Sequence, residues 1–293
     1  MELYRVKIQL SSPLVTPLKG DTIWGHVAWG IANHEGDEAV QKFLDACKDT
    51  EPVFVVSSAF PTGFVCKPLP RPHARNTQLT PDSYAKIKKF KKERYVQDSD
   101  YFDTGDSVRC NGENPFSSVV LTHNSIDRFS NTVTDGGLYA VTEQWTAQQN
   151  FDIYIASSFD AERVRQLCEW AFENGFGADS STGKGRISVL GPAEKVKVKK
   201  QADTYMALAP FVLPEDSAIS ELRADTFIRS GKIGGSFVSS LQPWKKTVVM
   251  FDEGAVFKSK SPLTFIGRLL TDVHSDSRIC QSGFAPVIPI SEE

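Results

Sequence analysis

Tyr4, Val6, Ile8 and Leu10 alternate with Arg5, Lys7 and Gln9, a period of two that predicts a half-buried strand over 4–10. Ser11-Ser12-Pro13 ends it. Beyond Pro17 and Gly20, Ile23, Val27, Gly30 and Ile31 recur at helical spacing, with Asp21 or Thr22 placed to cap the helix and Trp24, His26 and Trp29 around its face. A second helix is predicted at about 37–47 from Val40, Phe43, Leu44 and Cys47, and Val53–Val56 reads as a buried strand.

The pattern breaks over 61–122, where Pro61, Pro68, Pro70, Pro72 and Pro81 interrupt any regular element. Thr134-Asp135-Gly136-Gly137 signals a turn, and Leu138–Ala147 reads as a strand. Gln148-Gln149-Asn150 is expected to turn it into a second, Phe151–Ala156. A helix follows Ser158 or Asp160, with Val164, Leu167, Cys168 and Ala171 inward and Gly175 as its left-handed cap. A strand at 187–190 comes next. This order repeats much of the first sixty residues, so duplication of an α+β unit is the economical reading. It divides the chain into 1–137, carrying the 61–122 insertion, and 138–293. Leu208–Pro214 and Ser217–Ser220 look like connections. Lys245–Phe251 and Phe284–Ile290 read as closing strands, and 251–257 as a hairpin.

Composition narrows the class. A chain of 293 residues, 40% hydrophobic and 24% charged, is ordinary for a globular protein of one or two domains. No apolar run nears the roughly 18 residues of a membrane span, and the N-terminus lacks the apolar core of a signal peptide, so a cytoplasmic protein is expected. Five cysteines without a Cys-x-x-Cys pair point to neither a disulfide framework nor zinc, and no His-Glu-x-x-His occurs. A net charge of −3 weakens any claim of bulk attraction to nucleic acid, so what matters is whether the cations cluster.

Two clusters stand out. Residues 84–95 carry six cations interleaved with Tyr84, Phe90 and Tyr95. They suit a nucleic-acid strand, with charges on phosphates and rings on bases, or else a solvated amphipathic helix. Gly175–Arg186 holds four glycines, two serines, a threonine, Lys184 and Arg186. Backbone N–H groups in such a loop can cradle an anion; a flexible turn with solvated charges is the other reading. The loop lies between a helix and a strand, the reverse of the dinucleotide fingerprint, and no helix follows the Gly-Lys as a Walker loop needs. Arg229–Ser236 is a second cationic glycine loop, and 194–200 a basic strand. In His123–Arg128, Asn124, Asp127 and Arg128 either read a ligand or lock a turn. His26 is either catalytic or a packed histidine.

Four segments in order carry a family resemblance. They are Ser12–Pro17 with Asp21–His26; Asn124–Arg128 running on to Gly137-Leu138-Tyr139; the 175–186 loop; and Gly283–Ile290. With them the sequence resembles the RAMP superfamily of CRISPR effector complexes, and within it the fourth subunit of type III-A (Csm) complexes, which holds the 5′ tag of the guide RNA (crRNA). Residues 61–120 match poorly. The resemblance implies an α+β fold of two ferredoxin-like (RRM-type) halves, with the glycine loop between them near the RNA and an inserted thumb within about 75–120. It implies no catalysis, cofactor or metal. The implied partners are crRNA, the large polymerase/nuclease subunit and the repeated RAMP backbone subunit.

On this reading the RNA contacts are Gly175, Gly177, Ser180, Ser181, Thr182, Gly183, Lys184, Gly185 and Arg186 on tag phosphates. Arg229 and Lys232 add to them, Asn124 and Arg128 position flanking nucleotides, and Lys88, Lys91 and Tyr95 touch the guide or a partner. The alternatives are a metal-independent endoribonuclease of guide precursors, using His26 or His123 for proton transfer, the equivalent subunit of a Cmr-type complex, and an RNA-independent scaffold.

Overall fold

β1 (Glu2–Leu10) follows its alternation: Tyr4, Val6, Ile8 and Leu10 are buried on one side. The computed structural model describes residues 1–48, 51–70, 84, 88, 92–102, 114–199, 202–234 and 242–291. The helical spacing after β1 becomes α1 (Gly20–Glu35), and α2 (Asp37–Lys48) packs beside it. Lys19, rather than Asp21 or Thr22, precedes the first turn of α1 and supplies no side-chain cap. Asp21 lies within that turn, where a carboxylate suits the positive end of the helix.

β2 (Phe54–Pro61), β7 (Asn150–Ser157) and β8 (Ile187–Lys195) join β1 in an antiparallel sheet ordered β2-β7-β1-β8. α3 (Ala161–Phe172) links β7 to β8, and the Asp160 carboxylate caps it by accepting from the Arg163 N–H at 2.8 Å. The helices cover one face of the sheet, and Ile23, Val27, Ile31, Val164, Leu167 and Phe172 meet Val6, Ile8, Ile153 and Ile155 there.

This pairing corrects the boundary expected at 137/138. β1 and β2 lie before it and β7 and β8 after it, yet all four share one sheet. Residues 62–149 are thus an insertion between the second and third strands of a β-α-β-β-α-β unit. The turn at 148–150 is not a hairpin, because β7 pairs with β1 and β2 and not with β6.

The insertion contains β3 (Phe64–Cys66), paired with β4 (Tyr95–Gln97), and a long two-stranded arm of β5 (Phe116–Ile126) and β6 (Val133–Thr146). The Thr134–Gly137 turn signal falls inside β6, as an irregularity with Gly136 at φ 72°. The arm turns instead at 127–132, where the Asp127 carboxylate accepts from the Phe129 N–H at 2.7 Å.

The remainder is built of strands. β9 (Thr204–Ala207), β10 (Ile219–Arg223), β13 (Val256–Ser259), β14 (Phe265–Leu270) and β15 (Gln281–Pro289) form a sheet ordered β10-β13-β9-β15-β14. β11 (Thr226–Arg229) and β12 (Val248–Phe251) pair separately, so 251–257 is a passage between sheets and not a hairpin. No helix lies between β9 and β15 among the described residues, so the chain beyond β8 does not repeat the α+β unit. Pro210, Pro214, Pro243 and Pro262 punctuate this stretch and disfavour helices there.

The second sheet covers the face of the first that the helices leave open. Tyr154 stacks on Phe102 at 4.7 Å, and Met206, Leu208, Val256 and Ile288 pack into the same cluster as Phe60. Arg5, on that face, pairs with Glu194 at 2.7 Å.

A fragment of residues 138–293 lacks β1 and β2, half of the first sheet. It is expected to show no cooperative thermal unfolding by circular dichroism, whereas the full chain melts in a single sigmoid.

Candidate nucleic-acid interface

The glycine loop begins where α3 stops. Gly175 takes φ 82°, the left-handed cap the sequence predicts, and its N–H donates to the Phe172 carbonyl at 2.9 Å. From there most N–H groups find an acceptor inside the protein, those of Asp179, Ser180 and Ser181 excepted. Phe176 donates to the Gly185 carbonyl at 2.9 Å and Gly177 to His26 Nε2 at 3.2 Å. Ala178 reaches Thr16 Oγ1 at 2.9 Å. Thr182 and Lys184 turn back to the Asp179 carbonyl at 3.0 and 3.2 Å, and Gly183 to that of Ser180 at 3.1 Å. Gly185 donates to the Pro13 carbonyl at 2.9 Å and Arg186 to Ser12 Oγ at 2.8 Å.

This corrects the expected cradle. N–H groups already engaged at these distances are not free to hold a phosphate. Their work is to fasten the strap Ser11–Pro17, which has no regular structure of its own. The glycines serve close approach: Gly185 has φ 63°, and a Cβ there would lie 2.1 Å from the Phe176 carbonyl oxygen. What the loop leaves outward is Ser181, Thr182 and the exposed guanidinium of Arg186, with Ser180 half-buried.

His26 explains why Gly177 is held. Burial pushes its imidazole down to about 4, against the opposing effect of a hydrogen bond with the Ala171 backbone. The neutral ring keeps an acceptor at Nε2 for the Gly177 N–H and lies 4.8 Å from Phe176. A histidine with both nitrogens committed to backbone groups is poorly placed to shuttle protons.

Lys184 is not a free cation. Its Nζ lies 2.5 Å from Glu143 Oε1, on β6, and 5.9 Å from the Trp145 ring centre, and Trp145 Nε1 donates to Glu143 Oε2 at 3.1 Å. The strap meets the same strand, since Leu14 and Gln144 exchange backbone hydrogen bonds of 3.0 and 2.7 Å. Strap, glycine loop and root of the arm therefore converge.

The arm extends from that junction largely exposed. Strand alternation and register put Trp145, Glu143, Val141 and Tyr139 on one face with Val119, Leu121 and His123 opposite them, and His123 stacks on Tyr139 at 5.6 Å. The other face carries Val120, Asn124, Ile126, Val133 and Leu138. His123 and Asn124 thus point to opposite sides, and the compact cluster expected at 123–128 is divided. Asp127 locks the turn, Arg128 is exposed beside it, and Phe129 is fully exposed at the tip.

The other expected contacts scatter. Arg229 is tied to the buried Asp21, with Nε at 2.6 Å from Oδ2 and a second contact from Nη2, and it also donates to Thr22 Oγ1 at 3.0 Å. A guanidinium so held fastens β11 to α1 and is committed within the protein. Lys232 is exposed, with its Nζ 4.8 Å over the Trp244 ring. Tyr95 sits in β4, half-buried and edge-on to Phe60 at 6.3 Å, and burial pushes its phenol up to about 12, so its ring is not open for stacking. Lys88 is exposed; Lys91 and most of 75–113 lie outside the described residues. Glu143 and Trp145, which shape the junction, were not singled out by sequence. A carboxylate two residues before a tryptophan was the available signal.

Among the described residues the two packed sheets, three helices and protruding arm make a mixed, strand-rich fold. Over its whole length it is similar to Csm4 chains. A Csm1–Csm4 cassette in complex with cA4 matches with a TM-score of 0.58 at 15% identity, over 99% of this chain and 100% of the matched one. A Csm1–Csm4 cassette in complex with AMPPNP gives 0.57 at 13%, over 99% and 98%. The Csm3–Csm4 subcomplex of a type III-A CRISPR-Cas interference complex gives 0.54 at 12%, over all of both chains. No protein-family model and no curated protein sequence matches. No helix among the described residues is long and apolar enough to cross a membrane.

Gly185→Ala is expected to lose about 1–3 kcal/mol from torsional strain alone, read by urea unfolding. His26 gains its charge near 6.5 when unfolded and near 4 when folded, so it lowers stability progressively as pH falls from 6.5 to 4. Asp152 and Glu253, raised by burial to about 6 and about 7, act in the opposite sense. The difference between wild type and His26→Gln isolates the histidine: the fall in melting temperature through that window is expected to be shallower in the variant than in wild type.

Proposed function

We propose that this chain is a crRNA-binding RAMP subunit of a type III CRISPR interference complex, capping the 5′ tag of the guide without catalysing a reaction. The observation that carries the reading is the convergence of strap, glycine loop and arm. Two of the segments on which the family resemblance rests, strap and glycine loop, meet there at the root of a protruding hairpin whose outer part carries a third. The full-length likeness to Csm4 chains supports it at the level of fold. The β-α-β-β-α-β order and the strand order β2-β7-β1-β8 support reading the first sheet as a ferredoxin-like unit, with a helix-free sheet completing the chain.

The RNA contacts differ from those read from sequence. Arg186, with Ser180–Thr182, faces the tag phosphates, while Arg128, Asn124 and the Tyr139 face of the arm meet the nucleotides beyond it. The arm takes the place of the thumb expected at 75–120. A non-catalytic role fits the geometry of His26, and His123 is packed flat on Tyr139. The partners are the large polymerase/nuclease subunit and a repeated RAMP backbone subunit, as the pairings named in the similar structures suggest by analogy.

Co-expression with a type III-A locus and purification through this subunit is the test. The co-purified RNA is expected to share one repeat-derived 5′ end. Arg186→Ala and Arg128→Ala should each reduce RNA retention and flatten its dependence on log salt by about 0.7 per lost phosphate contact. No RNA, or mixed RNA without a common end, sinks the reading.

A further inference from the structure

Glu143 is fully buried on an arm that is otherwise mostly exposed, and the Lys184 side chain that meets it is 19% exposed. We propose that this ion pair is a positioning latch, fixing the angle of the arm on the glycine loop, so that Lys184 acts on guide RNA through the arm and not by gripping a phosphate. The second half of this statement rests on the RNA-binding reading above; the latch itself does not.

A desolvated ion pair adds little net stability, because removing both charges from water offsets most of their attraction. It does demand one geometry. Here Oε2 accepts from Trp145 Nε1, while the buried Oε1 makes no hydrogen bond and is met only by the ion-pair contact of Lys184. Without the latch, the arm is rooted by the Leu14–Gln144 backbone bridge and by Phe116 stacked on Phe151 at 5.4 Å. A two-stranded ribbon held along its own edge can still tilt about that line. The Glu143 side chain leaves the ribbon on the face turned to the loop, so its contact with Lys184 opposes the tilt. From Glu143 to Val133 the strand runs roughly 30 Å, so a root rotation of roughly 10° displaces the turn by roughly 5 Å. That is about the spacing between neighbouring nucleotides.

Strand alternation turns the same device toward function. Residues 143 and 139 share a face, so the latch that draws Glu143 to the loop also aims Tyr139 and its stacked His123. An ammonium with a carboxylate at 2.5 Å is already neutralised, which leaves Arg186 as the exposed cation of the loop.

The test has two readouts. Hydrogen exchange on the full-length chain alone reports the latch. Glu143→Gln and Lys184→Met are expected to speed exchange of β5 and β6 amides by about tenfold or more, with β1 and β7 unchanged, and Lys184→Arg is expected to behave as wild type. Crosslinking in the assembled complex, with 4-thiouridine in the guide RNA, reports the consequence. Adducts on arm peptides should fall or shift to other nucleotides in Glu143→Gln and Lys184→Met, while adducts on the Arg186 segment persist.

Unchanged exchange in both variants overturns the latch. Loss of adducts at the loop with unchanged exchange in the arm means that Lys184 grips RNA itself, and also overturns it. If wild type yields no RNA adducts, the RNA-binding reading fails, while the exchange result still decides the latch. Should Glu143→Gln unfold the chain, the contrast between Lys184→Met and Lys184→Arg decides: equal exchange in the two overturns the proposal.

Discussion

Backbone polar groups removed from water must be paired, and the strap after β1 is where this constraint shapes the molecule. Ser11–Pro17 has neither helix nor strand to satisfy it. It is satisfied from two sides, by the glycine loop at the Ser11 N–H and the Pro13 carbonyl and by β6 at Leu14, while Ser12 Oγ and Thr16 Oγ1 accept from loop N–H groups in return. Glycines are required on the loop side because the two segments approach more closely than a side chain permits. Once both sides are fastened, the arm has a fixed root, α1 has a fixed entry, and α3 has a fixed exit.

The same requirement settles what the loop is for. Rich in glycine and cations, it has the composition of an anion site. Hydrogen bonds inside the protein consume most of its N–H groups, and Lys184 is consumed by Glu143. A cation that a sequence offers to a ligand is available only when no carboxylate of the same chain reaches it first. Arg229 gives the same lesson, since Asp21, 208 positions earlier, holds it.

Local pattern was legible and long-range pairing was not. The alternation of Tyr4, Val6, Ile8 and Leu10 and the helical spacings of α1, α2 and α3 could be read directly, because each arises from a period within a few residues. That β1 would join β7 and β8 across an insertion of almost ninety residues arises from no local period. The apparent repeat of the first sixty residues therefore looked like a second domain, when it was the second half of the first. The strap and the loop stood out in the sequence, since Ser, Pro and Gly are punctuation that sequence displays. Glu143 and Trp145 were missed because their meaning lies in what sits opposite them.

The arm also governs how the chain behaves outside any assembly. Among the described residues β5 and β6 pair only with each other over most of their length, so both outer edges present N–H and C=O groups without a strand partner there. Between those edges stand Val120, Ile126, Phe129 and Leu138, each more than half exposed. A ribbon with open edges and these apolar side chains, its exposed charges confined to Arg128 and Asp135 near the tip, is a template for adding strands from other molecules, and a net charge of −3 spread over 293 residues gives it weak colloidal protection. The free subunit is therefore expected to associate with itself through its arm, and a partner that covers the arm would also keep the chain dispersed.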